Sequence, residues 1–188
     1  MIRLVLLALL GMCVLPAADT SYWVEPCTDP TTSCVTPDSD LARWALQAWQ
    51  EASGGRLHFV PVTDRAQGLI RLVWATPSQG LYGETMAISV GGRQGAQINV
   101  RIADGGTKDP LLRDTIVYLT CLHESGHALG LPHTREFDDI MYSFQYGGDI
   151  TEYFARYRRK LTRREDIREN SGLSPADRVH LVERLRDH

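Results

Sequence analysis

The stretch HESGHALGLPH, from His123 to His133, decides how the rest of the chain is interpreted. His123 and His127 are four residues apart, and on a helix this spacing places both side chains on one face. Glu124 is offset by one residue, so it can reach a water beside a bound metal without being a ligand. Gly130 interrupts the helix, and a turn with φ > 0 at this glycine brings His133 back as a third ligand.

Three neutral imidazoles leave a fourth coordination position for water, which is typical of a catalytic zinc site. The sequence therefore predicts one catalytic Zn²⁺ bound by His123, His127 and His133, with Glu124 as the general base. A non-catalytic zinc-binding interaction module is the alternative, and a fourth protein ligand would favour it.

The pattern H-E-x-x-H-x-x-G-x-x-H is similar to that of the metzincin metallopeptidases. Met141, in the segment Asp139-Ile140-Met141-Tyr142, lies eight residues beyond His133 and matches their Met-turn. The spacing most resembles the matrixin branch, the family of the matrix metalloproteinases. The resemblance implies a zinc metalloendopeptidase that hydrolyses protein or peptide substrates and in which Met141 shapes the floor beneath the metal. A peptidase dedicated to a single partner fits the same residues.

The resemblance also implies a fold. It is a twisted mixed sheet with an edge strand over the cleft, a zinc-binding helix, a Met-turn and a C-terminal helix. The edge strand would pair with the substrate backbone, and the wall at 142–146 would set the side-chain preference.

Hydrophobic periodicity agrees with an α/β (α+β) domain over residues 37–188. The predicted helices span 38–52, 111–129 and 152–168, and a last helix begins at a Ser174–Asp177 cap. The predicted strands span 57–62, 69–74, 84–90 (the edge strand) and 97–102. The inner face of the last helix is predicted to comprise Val179, Val182 and Leu185.

Residues 1–18 have the pattern of a secretory signal peptide. Arg3 precedes an apolar run over 4–15 that is too short to span about 30 Å of hydrocarbon. We therefore expect cleavage near Ala18, a secreted, periplasmic or extracellular protein, and no transmembrane span in the mature chain. A lipid anchor at Cys13 is not expected, because Met12 stands where a lipobox requires a small residue.

Residues 19–36 are rich in Thr, Pro and Asp and are predicted to form an irregular leader, too short for a folded pro-domain. Cys27 and Cys34 are close in sequence, and an oxidising compartment favours a disulfide between them, with two unrelated thiols as the alternative. Cys121 lies in an apolar helical segment and is predicted to be a buried thiol.

Composition limits the partners. The chain has 188 residues, 43% of them hydrophobic, a net charge of −3 and a pI near 6.1. Without a basic excess, nucleic acid is not an expected partner, and a single apolar run excludes a polytopic membrane protein. The segment Asp104-Gly105-Gly106 is the candidate for Ca²⁺, although one carboxylate supplies few of the oxygens that this ion requires.

A basic helical insertion is predicted at about 152–170. Tyr153, Tyr157 and Leu161 recur every four residues and would face the core. The cations would then point outward, either as a solvated helix face or as a dock for an anionic partner. They are Arg156, Arg158, Arg159, Lys160, Arg163 and Arg164.

Overall fold

The computed structural model describes residues 18–77, 82–102 and 107–186. Within these ranges the strands form one mixed sheet in the order β2-β1-β3-β5-β4. They are β1 (Ala18–Val24), β2 (Leu57–Pro61), β3 (Ile70–Ala75), β4 (Gly83–Val90) and β5 (Arg93–Arg101). The central pairings are parallel, and β4 pairs antiparallel with β5 at the edge of the sheet. The coarse prediction of a mixed α/β architecture is confirmed.

The helices of the described ranges are α1 (Asp38–Ala52), α2 (Pro110–Ala128), α3 (Ile150–Arg158), α4 (Asp166–Glu169) and α5 (Pro175–Arg186). The two long helices pack on each other, α1 also against β2 and α2 against β4 and β5. Trp49 of α1 is fully buried and donates its indole N–H to the Leu122 carbonyl of α2, at 2.9 Å. The apolar periodicity that predicted α1 and α2 thus becomes the core between the helices and the sheet.

The leader is not irregular throughout, contrary to the sequence prediction. Its first part is β1, which lies in the middle of the sheet between β2 and β3. The leader as a whole is rich in Thr, Pro and Asp, but Tyr22, Trp23 and Val24 favour a strand, and the segment pairs with a neighbouring strand on each side. The domain therefore includes residues from Ala18 onward. The later part of the leader carries a disulfide between Cys27 and Cys34.

A glycine pair joins the edge strand to the sheet. Gly91 and Gly92 have φ of 56° and 78° and form the tight turn between β4 and β5. Consecutive positive φ values are typical of a type I′ hairpin turn, which favours glycine at both positions. Consequently β5 begins at Arg93, four residues earlier than the alternation of apolar residues predicted.

The end of the chain departs from the prediction in two ways. The basic insertion is not one helix, because α3 ends at Arg158 and α4 begins at Asp166. The chain turns between them and buries Leu161, whose carbonyl accepts a hydrogen bond from Arg158. In α5 the buried residues are Asp177 and Leu181, and Val179, predicted to face the core, is 53% exposed. Val182 and Leu185, predicted on the same face, are half-buried.

Two sequence predictions fall outside the described residues. These are the signal peptide, apart from Ala18, and the candidate calcium site at Asp104. None of the helices in the described ranges is long and apolar enough to cross a lipid bilayer.

Candidate metal centre

Helix α2 carries the first two predicted zinc ligands. Asp109 caps it by accepting hydrogen bonds from the amides of Leu111 and Leu112, and Pro110 occupies its first turn. Beyond Ala128 the chain turns at Gly130, whose φ is 84° as the sequence predicted. The Leu131 amide donates to the Gly126 carbonyl at 3.0 Å, which closes the turn. The chain then runs back past the helix end and brings His133 to the same face.

The three histidines converge on one point. The Nε2 atoms of His123 and His133 are 3.2 Å apart, and those of His127 and His133 are 3.1 Å apart. Two ligands at about 2.05 Å from a tetrahedral zinc ion would be about 3.3 Å apart. Within the described ranges, these three residues form a cluster of the size required for a metal ion and have no fourth side-chain ligand. The set therefore fits zinc with one position left for a further ligand.

Hydrogen bonds at the other ring nitrogens orient two of the imidazoles. His123 Nδ1 lies 2.6 Å from the Ile140 carbonyl, and His127 Nδ1 lies 2.9 Å from the Leu131 carbonyl. A carbonyl is only an acceptor, so each Nδ1 carries the proton and each Nε2 presents its lone pair to the metal position.

Burial favours the neutral form of two of the three histidines, because it lowers their pKa. It lowers the pKa of His123 to about 4, helped by the neighbouring imidazoles, while the hydrogen bond to Ile140 acts in the opposite direction. The pKa of His133 is also lowered, first by burial and then by His127. Neutral imidazole is the form that binds Zn²⁺.

Glu124 lies beside the cluster and is only 6% exposed. Its Oε2 accepts a hydrogen bond of 2.7 Å from the hydroxyl of Thr85, on the edge strand. Burial raises the pKa of Glu124, whereas the bond from Thr85 and the proximity of His127 lower it. A Cβ at Gly83 would lie 2.5 Å from Glu124 Cγ, so the glycine makes room for the carboxylate. Glu124 was predicted from the sequence, whereas no local pattern indicates that Gly83 and Thr85 contact it.

Met141 is almost fully buried and lies against α2. Its Sδ would be 2.3 Å from a Cβ built at Gly126, so this glycine of α2 allows the close approach. The Asp177 carboxylate accepts a hydrogen bond of 2.9 Å from the Ile140 amide. The sequence predicted Ser174 and Asp177 as the cap of α5. The hydrogen bond from the Ile140 amide is a second role of Asp177, and no local sequence pattern indicates it.

A cleft of about 520 Å³ opens at the cluster. One wall of the cleft is formed by Tyr82 and the first residues of β4, as far as Thr85. The opposite wall is the segment that follows Met141. Of the predicted wall, 142–145 lines the cleft, whereas Tyr146 is exposed with the Arg135 guanidinium 4.9 Å from its ring centroid. Helix α3 adds a wall that the sequence did not indicate, formed by Ile150, Tyr153 and Phe154.

The basic segment makes ion pairs within the chain, and the prediction of a row of outward cations holds for half of its members. The side chains of Arg159 and Arg163 are 60% and 69% exposed, and Lys160 is exposed too, whereas Arg156, Arg158 and Arg164 are less than 30% exposed. Arg158 binds Asp109 at the start of α2 at 2.8 Å, and Arg164 binds Asp114 of the same helix at 3.0 Å. These two pairs attach the segment to α2. The other pairs are Arg156–Asp138, Arg159–Glu152 and Arg163–Asp166.

Cys121, in α2, is a free thiol and is fully buried, as expected for a core thiol. No model of a known protein family matches the chain, and a search of curated proteins finds no match either.

Proposed function

We propose that this protein is a zinc-dependent metalloendopeptidase of the metzincin class, similar to the matrixins. The observation that carries the proposal is the convergence of three imidazole Nε2 atoms beside a buried carboxylate, in an open cleft next to an edge strand. The parallel sheet with one antiparallel edge strand supports it, as does the buried methionine turn against α2.

The proposed chemistry uses His123, His127 and His133 to hold the metal. Bound zinc supplies Lewis acidity that polarises the scissile carbonyl and acidifies a water. Glu124 accepts the proton of that water and returns it to the leaving amine. Thr85 holds one carboxylate oxygen of Glu124 and leaves Oε1 for the reaction.

The edge strand β4 would bind the substrate backbone. Its one neighbour in the described sheet is β5, so its outer backbone groups are available for an extended peptide. Strand addition of this kind gives affinity through main-chain hydrogen bonds, and side-chain pockets add preference. The proposal that the protein acts outside the cytoplasm rests on the signal-peptide pattern of residues 1–18 alone.

The test uses purified protein, a peptide library and three variants. Wild type should contain one zinc per chain, cleave peptides, and lose activity with a chelator until zinc is restored. Glu124→Gln keeps the shape of the side chain, so it should retain zinc but lose about 10²–10⁴-fold in turnover. His133→Ala removes one of the three proposed ligands. His58→Ala is its matched control and should behave as wild type, because this histidine is exposed on β2 and pairs with Asp19.

Two outcomes would contradict the proposal. Zinc bound at full occupancy with no cleavage of any peptide would favour the non-catalytic zinc module. Wild-type turnover in Glu124→Gln would exclude the assigned base.

A further inference from the structure

Tyr153, on α3, connects the post-Met-turn segment to the backbone that orients a zinc ligand. It is 5% exposed, and its hydroxyl lies 3.1 Å from the Asp139 carbonyl and 3.4 Å from the Ile140 carbonyl. The single hydroxyl proton is therefore shared between two consecutive carbonyls. The second of them is the carbonyl that accepts the Nδ1–H of His123 at 2.6 Å.

The same backbone is held from the opposite side. Asp177 accepts from the Ile140 amide at 2.9 Å, so it fixes the N–H groups of the turn while Tyr153 fixes the carbonyls. The Ile140 carbonyl and the Met141 amide belong to one peptide group, which Asp177 holds only through a long bond of 3.5 Å from that amide. The hydroxyl of Tyr153, 3.4 Å from the Ile140 carbonyl, is a second constraint on the same peptide group.

We propose that Tyr153 is a positioning residue of the metal centre: its hydroxyl holds the Ile140 carbonyl where it orients the His123 ring toward the metal. The inference rests on the zinc centre of the proposed function. Hydrogen-bond partners of metal-bound histidines typically change metal affinity 10–100-fold when removed. Tyr153 acts one step further out, because the Ile140 carbonyl can still accept the His123 N–H after the hydroxyl is removed, although less well positioned, so the effect is smaller.

The ring of Tyr153 has a separate, structural role. It packs against four other aromatic rings at centroid distances of 5.2–6.4 Å. Tyr153→Phe keeps this packing and removes the hydroxyl alone.

The chain also offers a matched control one turn further along α3. Tyr157 is 4% exposed and donates its hydroxyl to a backbone carbonyl, that of Asn170, which lies away from the Met-turn. Tyr157→Phe therefore removes an equally buried hydroxyl of the same helix without touching the backbone next to His123. A general loosening of α3 would affect both variants alike.

The experiment measures zinc affinity by chelator competition and records the visible spectrum of the Co²⁺-substituted protein. Tyr153→Phe should bind zinc about twofold more weakly, the lower end of what one hydrogen bond contributes, because its contact of 3.4 Å with the Ile140 carbonyl is longer than an ordinary O–H···O bond. Its cobalt bands should shift, because the ligand geometry relaxes. Tyr157→Phe should match wild type in both measurements. Peptide cleavage should show a lower kcat with little change in KM for Tyr153→Phe alone.

The inference is overturned if Tyr153→Phe binds zinc and cobalt as wild type does, or if both variants change equally. These results leave the proposed function intact. If wild type itself binds neither metal at the histidines, the proposed function fails, and this inference fails with it.

Discussion

Replacing Gly126 with alanine tests whether Met141 is held against α2 as closely as the structure shows. The new Cβ would lie 2.3 Å from Met141 Sδ and 3.0 Å from Trp49 Cζ2, and both side chains are almost fully buried. The first contact is shorter than van der Waals separation allows, so Met141 must move. Protein interiors are close-packed, so moving a buried side chain has a cost.

Two opposing terms set the magnitude. Alanine is favoured over glycine in a helix interior by about 1 kcal/mol. Overpacking a close-packed core typically costs about 1–3 kcal/mol, and contact with a buried sulfur places this site toward the upper end. We therefore expect Gly126→Ala to lower the free energy of unfolding by about 2 kcal/mol, which is about 4–8 °C in Tm for a chain of this size.

The assay is urea unfolding of the metal-free protein, since bound zinc would add its own stabilisation. The second variant is Met141→Ala, alone and combined with Gly126→Ala. Met141→Ala alone should cost about 2–5 kcal/mol through the cavity it leaves. In the double variant the new methyl group enters that cavity. The loss of unfolding free energy in the double variant should therefore be smaller than the sum of the two single losses by about 1–3 kcal/mol. Additivity within about 0.5 kcal/mol would refute the packing argument.

Three further predictions concern the same region. His133→Ala should weaken zinc binding at least about 100-fold and abolish peptide cleavage, since removing a ligand costs more than removing its hydrogen-bond partner; one tightly bound zinc per chain with intact activity would remove the metzincin assignment. Ser125→Ala should leave stability unchanged or raise it by up to about 1 kcal/mol in urea unfolding, because the buried Ser125 hydroxyl has no hydrogen-bond partner in the described ranges. Asp109→Asn keeps the helix cap but loses the ion pair that lowers the pKa of Asp109, first through Arg158. The pair stabilises the fold above the ordinary pKa of an aspartate, near 4, and is lost as the pH falls through the lowered pKa, so the difference in stability between wild type and variant should shrink as the pH falls below that ordinary value; a difference that does not change with pH down to acid unfolding would argue against the pair.

The zinc cluster could be identified from sequence because its geometry is local. His123, Glu124 and His127 lie within one helix, where a spacing of four residues fixes a common face. Gly130 predicts the turn that brings His133 to the same face, because a glycine directly after a helix commonly has φ > 0. Both long helices were also predicted closely, because each carries an apolar face of fixed period.

The parts that sequence reasoning missed depend on contacts between distant segments. β1 belongs to a leader whose composition, rich in Thr, Pro and Asp, is typical of a loop, and it forms a strand because β2 and β3 supply hydrogen-bonding partners on both sides. The arginines of the basic segment look like a solvated face until the fold brings Asp109 and Asp114 of α2 within reach.

The sequence by itself determined which atoms can bind a metal and which carboxylate lies beside them, because those relations are set by helix periodicity and one glycine turn. Only the tertiary structure decided what surrounds them. Thr85 donates a hydrogen bond to the Glu124 carboxylate, and Met141 packs against Gly126. Asp177 and Tyr153 bind the backbone at Ile140 and Asp139. The reason is physical. Hydrogen bonds and close packing act over about 3–4 Å in space, and the residues that make them are separated by tens of positions along the chain.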